Sequence, residues 1–199
     1  MPGDLNPRVQ LQHVNVKLLV EPVAYADLEP LIPIFHEWIE QQGPGDLLLD
    51  IADYRHVPEG PVVALIGHDG DYSVDNTNRR LGIRYGRKAA FDGSTMDRLT
   101  QATRSALEAC RRLESDARLA GRFRFNGRDI EIFFNDRLLA PNSEHTRIAA
   151  DPVLREFCGA LLRGGNYSVT YESDRRRLFG AAVRTEKIFT VSELLQTIG

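Results

Sequence analysis

Hydrophobic positions change their spacing several times along the chain, and each change marks a new element. Val14, Val16, Leu18 and Val20 alternate with Asn15 and Lys17, the period-2 pattern of a half-buried strand. Leu28, Leu31, Ile32, Phe35, Trp38 and Ile39 then recur at helical spacing. Asp27 is placed to cap this helix, Pro33 sets its regular part to begin close by because proline has no amide donor, and Gly43-Pro44-Gly45 ends it. Leu47 to Ile51 and Val62 to Ile66 are short apolar runs, which predict strands buried on both faces, with residues 53–61 a polar surface loop between them. Tyr72 to Val74 and Leu81 to Tyr85 flank Asp75-Asn76-Thr77-Asn78, a cluster that tolerates left-handed backbone and predicts a hairpin.

The second half carries clearer punctuation. Ser94-Thr95-Met96-Asp97 has the form of a capping box, and Met96, Leu99, Ala102, Thr103, Ala106, Cys110 and Leu113 form one face of the helix that follows, with Gly121 as its stop. Asn126-Gly127 between Arg122-Phe125 and Asp129-Phe134 is the dipeptide of a type I′ turn. With Asn135-Asp136 turning the chain again into Arg137-Leu139, it predicts a three-stranded meander. Asp151-Pro152 starts a helix that Gly164-Gly165 stops. Tyr167, Val169 and Tyr171 form a strand that turns at Ser173-Asp174 and returns through Leu178 to Arg184, and Thr190-Val191-Ser192-Glu193 caps a terminal helix.

Local antiparallel hairpins interleaved with helices predict an α+β fold, a mostly antiparallel sheet with helices packed on one face. The chain reads as a single domain over residues 1–199. The order of elements also allows two intimately packed halves near 1–93 and 94–199, each of ferredoxin-like form.

Composition narrows the class. Hydrophobic residues at 42% and charged residues at 27% are the balance of an ordinary globular protein. A net charge of -3 argues against coating nucleic acid or anionic membrane by bulk electrostatics. No apolar run approaches the roughly 20 residues of a bilayer span. Met1-Pro2-Gly3-Asp4 lacks the basic start of a secretion signal, so the expected location is cytoplasmic, with no membrane partner. Cys110 and Cys158 fall on apolar helix faces and are expected to be free thiols.

Leu31 to Ile39, Asp50 to Tyr54, Leu65 to His68, Tyr72 to Asn76 and Tyr85 to Lys88 together resemble a family of uncharacterised bacterial proteins. The likeness extends through Arg124 to Gly127 and Asn135 to Asn142, and so covers most of the chain. It implies a bacterial protein built as one unit. The family has no assigned reaction or ligand, so the resemblance gives no residue here a role.

The catalytic candidates are His68, Asp71, His56 and Asp53. His68 lies among Asp69, Asp71, Tyr72 and Asp75 at a Gly-bounded turn, and His56 and Asp53 would join it in one pocket if the strands at Leu47 and Val62 are neighbours. The competing reading is a polar strand end beside an ordinary surface loop. Spacing gives no consistent metal-ligand set, and no nucleophile-elbow or Walker motif is present, so no metal and no cofactor are expected. His36 beside Trp38 reads as a boundary histidine, and Phe123, Phe125, Phe133 and Phe134 read as core. Arg80, Arg84 and Lys88 share one face of a regular strand, Arg124 alternates with phenylalanines, and Arg175-Arg176-Arg177 marks another turn, so the hairpins offer an anion-binding surface.

Three functional classes follow. The leading one is a non-catalytic binding or assembly module that associates with itself or with a protein partner. The second is a hydrolase-like or metal-dependent enzyme using the His56, His68 and Asp71 region. The third binds phosphate or nucleic acid through its arginine-rich hairpins, nucleic acid being the partner that the net charge disfavours.

Overall fold

Among the described residues, eight strands pair into one antiparallel sheet. They are β1 (Val14–Val20), β2 (Leu48–Asp53), β3 (Pro61–Gly67), β4 (Gly70–Asp75), β5 (Gly82–Arg87), β6 (Phe125–Phe134), β7 (Tyr167–Tyr171) and β8 (Gly180–Thr185), in the order β2-β3-β4-β5-β1-β6-β8-β7. The α-helices described with them are α1 (Leu31–Gln41), α2 (Thr95–Ser115), α3 (Glu144–Leu161) and α4 (Val191–Thr197). The computed structural model describes residues 9–21, 28–42, 46–119 and 121–199. The expected α+β class and antiparallel sheet are what the chain forms.

The period-2 pattern of β1 sets the layering. Val16 pairs with Tyr85 and Ile132, and Leu18 with Ile83 and Ile130, so these side chains form rows on one side of the sheet. All belong to a single apolar cluster that also takes in Leu31 and Phe35 of α1, Leu107 and Cys110 of α2, Phe157 of α3 and Leu194 of α4. The helices therefore share one face. α2 crosses the central strands β1 and β5, α1 lies against β2 and β3, and α3 and α4 pack against α2. Among the described residues no helix covers the other face, and the functional question concerns that side.

Because β1 pairs with β5 on one side and β6 on the other, the sheet runs unbroken across the residue 93/94 boundary. The second half contributes three strands to this shared sheet, too few for the four-stranded ferredoxin-like unit expected of it.

Several local expectations need correction. Asn126-Gly127 does not turn a hairpin but lies inside β6, where the register against β1 shifts between Leu18 and Val20. Gly127 takes φ +73°, and a Cβ there would lie 2.5 Å from Ile188 Cγ2. Its carbonyl accepts from Phe189 N at 2.9 Å, so the positive φ serves a bulge that anchors the segment before α4. Arg137 to Leu139 is a turn rather than a third meander strand, held by Leu139 N donating to Asp136 Oδ1 at 2.9 Å.

α3 begins at Glu144, well before Asp151, because Ser143 Oγ accepts from Thr146 N at 3.2 Å as its cap. Pro152 is an interior residue that leaves the Ile148 carbonyl without its helical donor. Leu47 to Ile51 is not buried on both faces: β2 is an edge strand, with Leu49 at 52% exposure. α1 starts at Leu31 with Pro30 before it, while Asp27 and Gly43-Pro44-Gly45 lie outside the described residues.

Other signals hold. Ser94 and Asp97 form the reciprocal capping box of α2, and Thr190 and Glu193 that of α4. Cys110 and Cys158 are free and buried. Burial pushes the Cys110 thiol far up and the Cys158 thiol to about 12, so both are inert core residues at neutral pH. No helix among the described residues is long and apolar enough to cross a membrane.

Candidate functional site

On the side away from the helices the alternate row of β1 begins with Asn15 and Lys17, each about 1% exposed, and ends with Leu19. The polar half of the period-2 pattern is thus as buried as the apolar half. Lys17 Nζ donates to Asp75 Oδ1 at 2.6 Å, and both side chains are 2% exposed. Lys17 is on β1 and Asp75 on β4, with β5 between them. Gly82 of β5 stands opposite both Leu19 and Asp75. A Cβ on Gly82 would lie 2.9 Å from Lys17 Cε and 2.6 Å from the Leu18 carbonyl. The lysine stem reaches its carboxylate by passing over a glycine.

Asp75 is fully engaged. Its carboxylate also accepts from Thr77 N and Thr77 Oγ1, each at 3.1 Å, and Arg84 Nη1 lies 3.6 Å away. Burial, the largest single influence, raises the pKa of Asp75. The Lys17 ammonium, its hydrogen bond, the Thr77 amide and Arg84 together outweigh burial and hold the carboxyl below its ordinary value. A carboxylate locked in its ionised form is a structural anion and a poor general base.

Around this pair the charges form a network. Arg84 Nε donates to Asn15 Oδ1 at 3.2 Å, and its guanidinium lies 5.3 Å from the centre of the Phe133 ring. Arg80 donates to Glu131 at 2.7 Å. Asp129 lies 3.8 Å from Arg80 and 3.6 Å from Arg184. Two hairpin tips meet above the sheet, where Arg177 Nη1 donates to Asn78 Oδ1 at 3.0 Å. Asn78 holds a left-handed φ of 59°, as its place in the turn cluster predicts, and Arg79, just beyond that cluster, holds one of 57°.

Between these tips and the sheet is a cleft of about 540 Å³ that runs from Lys17 and Asp75 to Thr170 and Glu172. Six cationic side chains line it against three carboxylates, so it is locally positive in a chain of net charge -3. Its cations other than Lys17 are all arginines, including Arg137 and Arg176, which suit planar phosphate and carboxylate groups. Tyr171, at the far end, donates to Asp151 Oδ1 at 2.8 Å. Desolvation first and then this acceptor push its pKa well up, so it stays a neutral phenol. The cleft therefore has the chemistry to hold an anion.

The residues singled out for catalysis lie elsewhere and apart. Asp53 ends β2, and the Arg55 side chain, hydrogen-bonded to both its oxygens, holds its carboxyl at about 2. His56 is exposed in the loop before β3, whereas His68 is exposed in the turn after β3, with Nδ1 2.8 Å from Asp69. Seven residues of β3 separate them, roughly 20 Å at about 3.3 Å per residue, so the two-histidine pocket does not form. Asp71 is with the His68 group, accepting from Gly67 N and pairing with Lys88 at 2.7 Å. No group of three or more potential metal ligands occurs among the described residues. His36 is exposed on α1.

Of the anion candidates, Arg80 and Arg84 line the cleft. Lys88 lies beyond the opposite end of β5 from Arg80, and Arg124 is exposed ahead of β6, outside the cleft lining. The sequence reading missed Lys17, Asp75 as its partner, Glu131, and the way Arg137, Arg176 and Arg177 converge. One signal was present. A lysine inside an otherwise apolar strand, with Gly82 and Gly86 alternating through a strand that pairs with it, points to a long side chain lying across the sheet.

No family model matches the chain, and no curated protein or solved structure is significantly similar to it.

Proposed function

We propose that this protein is a non-catalytic binding module whose open-face cleft takes a ligand bearing phosphate or carboxylate groups. The observation that carries the reading is the excess of cations in the cleft, six against three, within an acidic chain. The Lys17–Asp75 pair and Arg84 form a pre-set floor, since their charges already compensate one another at 2.6 and 3.6 Å. Arg176, 90% exposed at its side chain and braced through Nε and Nη2 by the Asp174 carboxylate, and Arg137 supply their remaining donors at the rim. Guanidinium groups fixed in this way lose little freedom on meeting a planar anion. Asp75, held ionised by its partners, and the Tyr171 hydroxyl, turned beneath the sheet to Asp151 of α3, are both poorly suited to proton transfer in the cleft.

Titration calorimetry with tripolyphosphate and citrate at low salt tests the reading. Binding is expected, weakening as salt rises because exposed charges are screened beyond about 10 Å at 0.1 M. Arg176→Ser with Arg177→Ser is expected to weaken it about tenfold or more, in line with about 1.5–3 kcal/mol for a hydrogen bond to a charged group. His68→Ala is expected to leave it unchanged. Absence of binding to either anion at low salt, or equal loss in the His68 variant, would overturn the proposal.

A further inference from the structure

The sheet is open, and its two edges differ. At one edge, β2 carries Asp50 and Asp53, and its register shifts between Leu48 and Asp50. Asp50 Oδ1 also accepts from Ile51 N at 2.8 Å, which occupies an edge amide. Charge, a bulge and a self-satisfied donor are the devices that blunt an edge against pairing. At the other edge, β7 reads Tyr-Ser-Val-Thr-Tyr, with no charge, no proline and no register shift along its pairing with β8.

The direction of the β7 backbone follows from its ladder. Glu172 N donates to the Gly180 carbonyl at 3.0 Å, and Glu186 N to the Asn166 carbonyl at 3.1 Å, so these are hydrogen-bonded pairs. Antiparallel alternation then makes Ser168 with Arg184, and Thr170 with Ala182, hydrogen-bonded pairs as well. Tyr167, Val169 and Tyr171 must turn their N–H and C=O groups away from β8. Among the described residues no strand lies beyond β7 to receive them. The edge is also held rigid from beneath, because Tyr167 and Tyr171 donate through their hydroxyls to α3, at the Arg155 carbonyl and the Asp151 carboxylate.

We infer that β7 is a docking edge on which an extended acidic polypeptide segment adds as a ninth strand, its alternate side chains directed into the arginine-lined cleft. The occupant is chosen by charge. The cleft reaches β7 at Thr170 and Tyr171, and Arg176 and Arg177 stand on the hairpin that joins β7 to β8. A strand about 4.8 Å outside β7 would carry every second side chain on the open face, beside that positive rim. Main-chain bonds would supply affinity and the cleft would select acidic side chains. The inference rests on the anion-binding reading for its side chains and on the β7 backbone for its register.

The test uses the full chain and a synthetic peptide of alternating Glu and Val, with tripolyphosphate as the comparison ligand. Binding is followed by calorimetry and by amide hydrogen exchange. The expected result is peptide binding that slows exchange at Tyr167, Val169 and Tyr171. N-methylation of one alternate set of peptide amides is expected to weaken it at least about tenfold, the loss of more than one main-chain hydrogen bond, and methylation of the other set to have little effect. Val169→Pro is expected to abolish peptide binding while leaving tripolyphosphate binding intact, since a proline whose nitrogen faces outward is tolerated on an edge strand.

Peptide binding without protection at those three amides, or indifferent to both methylation patterns, would overturn strand addition. So would tripolyphosphate binding with no peptide binding, a result that leaves the cleft reading standing. Protection that appears without peptide and grows with protein concentration would assign the edge to a second copy of the chain and overturn the acidic-segment proposal. Loss of binding to both ligands by the unmodified protein would remove the cleft reading itself.

Discussion

The two faces of the sheet are buried by different means. Under the helices, burial is a matter of apolar volume: Val16, Leu18, Ile83 and Ile132 meet side chains such as Leu107 and Phe157 in one continuous cluster. On the open face, burial comes from charges that cover one another, with Lys17, Asp75, Arg84 and Asn15 linked by hydrogen bonds or close ion pairs. The first kind is tolerant, because apolar contacts are non-directional and partners can shift. The second is exacting, because a buried charge without its partner costs several kcal/mol. Replacing such a pair by apolar side chains is often neutral or stabilising, so the charges on the second face are not explained by stability alone.

Substitutions can break this comparison. The largest effects are expected where either kind of burial is removed outright. Phe157→Ala on the helix side should cost about 3–5 kcal/mol in urea denaturation, with tripolyphosphate affinity unchanged. Lys17→Met should cost about 3–5 kcal/mol as well, because Asp75 is left buried without its ammonium. Adding Asp75→Leu should return most of that loss while abolishing anion binding. A double variant that stays as unstable as the single one would show that the pair is a stability element after all.

Gly82→Ala comes next, at about 1–3 kcal/mol for overpacking, since its methyl would press on the Leu18 carbonyl and the Lys17 stem. An unchanged denaturation midpoint would mean that Lys17 does not pass over Gly82. The smallest effect is on pH dependence. The folded pKa of Asp75 is below its ordinary value of 3.8. Between the two values the unfolded chain binds more protons, so stability rises with pH there. The contribution of Asp75 is thus complete above about 4 and is lost as pH falls through the lower folded value. Asp75→Asn should be less stable at neutral pH and should show a flatter acid limb; an acid limb as steep as that of the unmodified protein would refute the assignment.

Much of the helix-covered face was legible in the sequence because its cues are local. The capping boxes at Ser94 and Thr190 and the helical spacing from Leu99 to Leu113 depend on residues a few positions apart. The errors arose where distant contacts decided the outcome. Asn126-Gly127 has hairpin chemistry, but β6 continues past it because β1 pairs on both sides of the bulge and Phe189 N takes the Gly127 carbonyl. Pro152 looked like a first-turn residue until Ser143 supplied a cap upstream. The candidate site was hardest to see, since Lys17 and Asp75 are 58 positions apart in sequence and are brought together only by the strand order. Alternation says which residues share a face. It does not say whether that face meets water.

The chain has three lysines, Lys17, Lys88 and Lys187, against 22 arginines among its 25 basic residues. Lys88 and Lys187 are 43% and 57% exposed at their side chains, whereas Lys17 is 2% exposed. Amine acylation therefore separates them by kinetics. Lys88 and Lys187 react from the folded state, and Lys17 must wait for an opening that parts it from Asp75 and strips it of cover. Its rate of modification is a built-in clock for the floor of the cleft, one that a bound anion should slow while leaving the other two lysines on their original schedule.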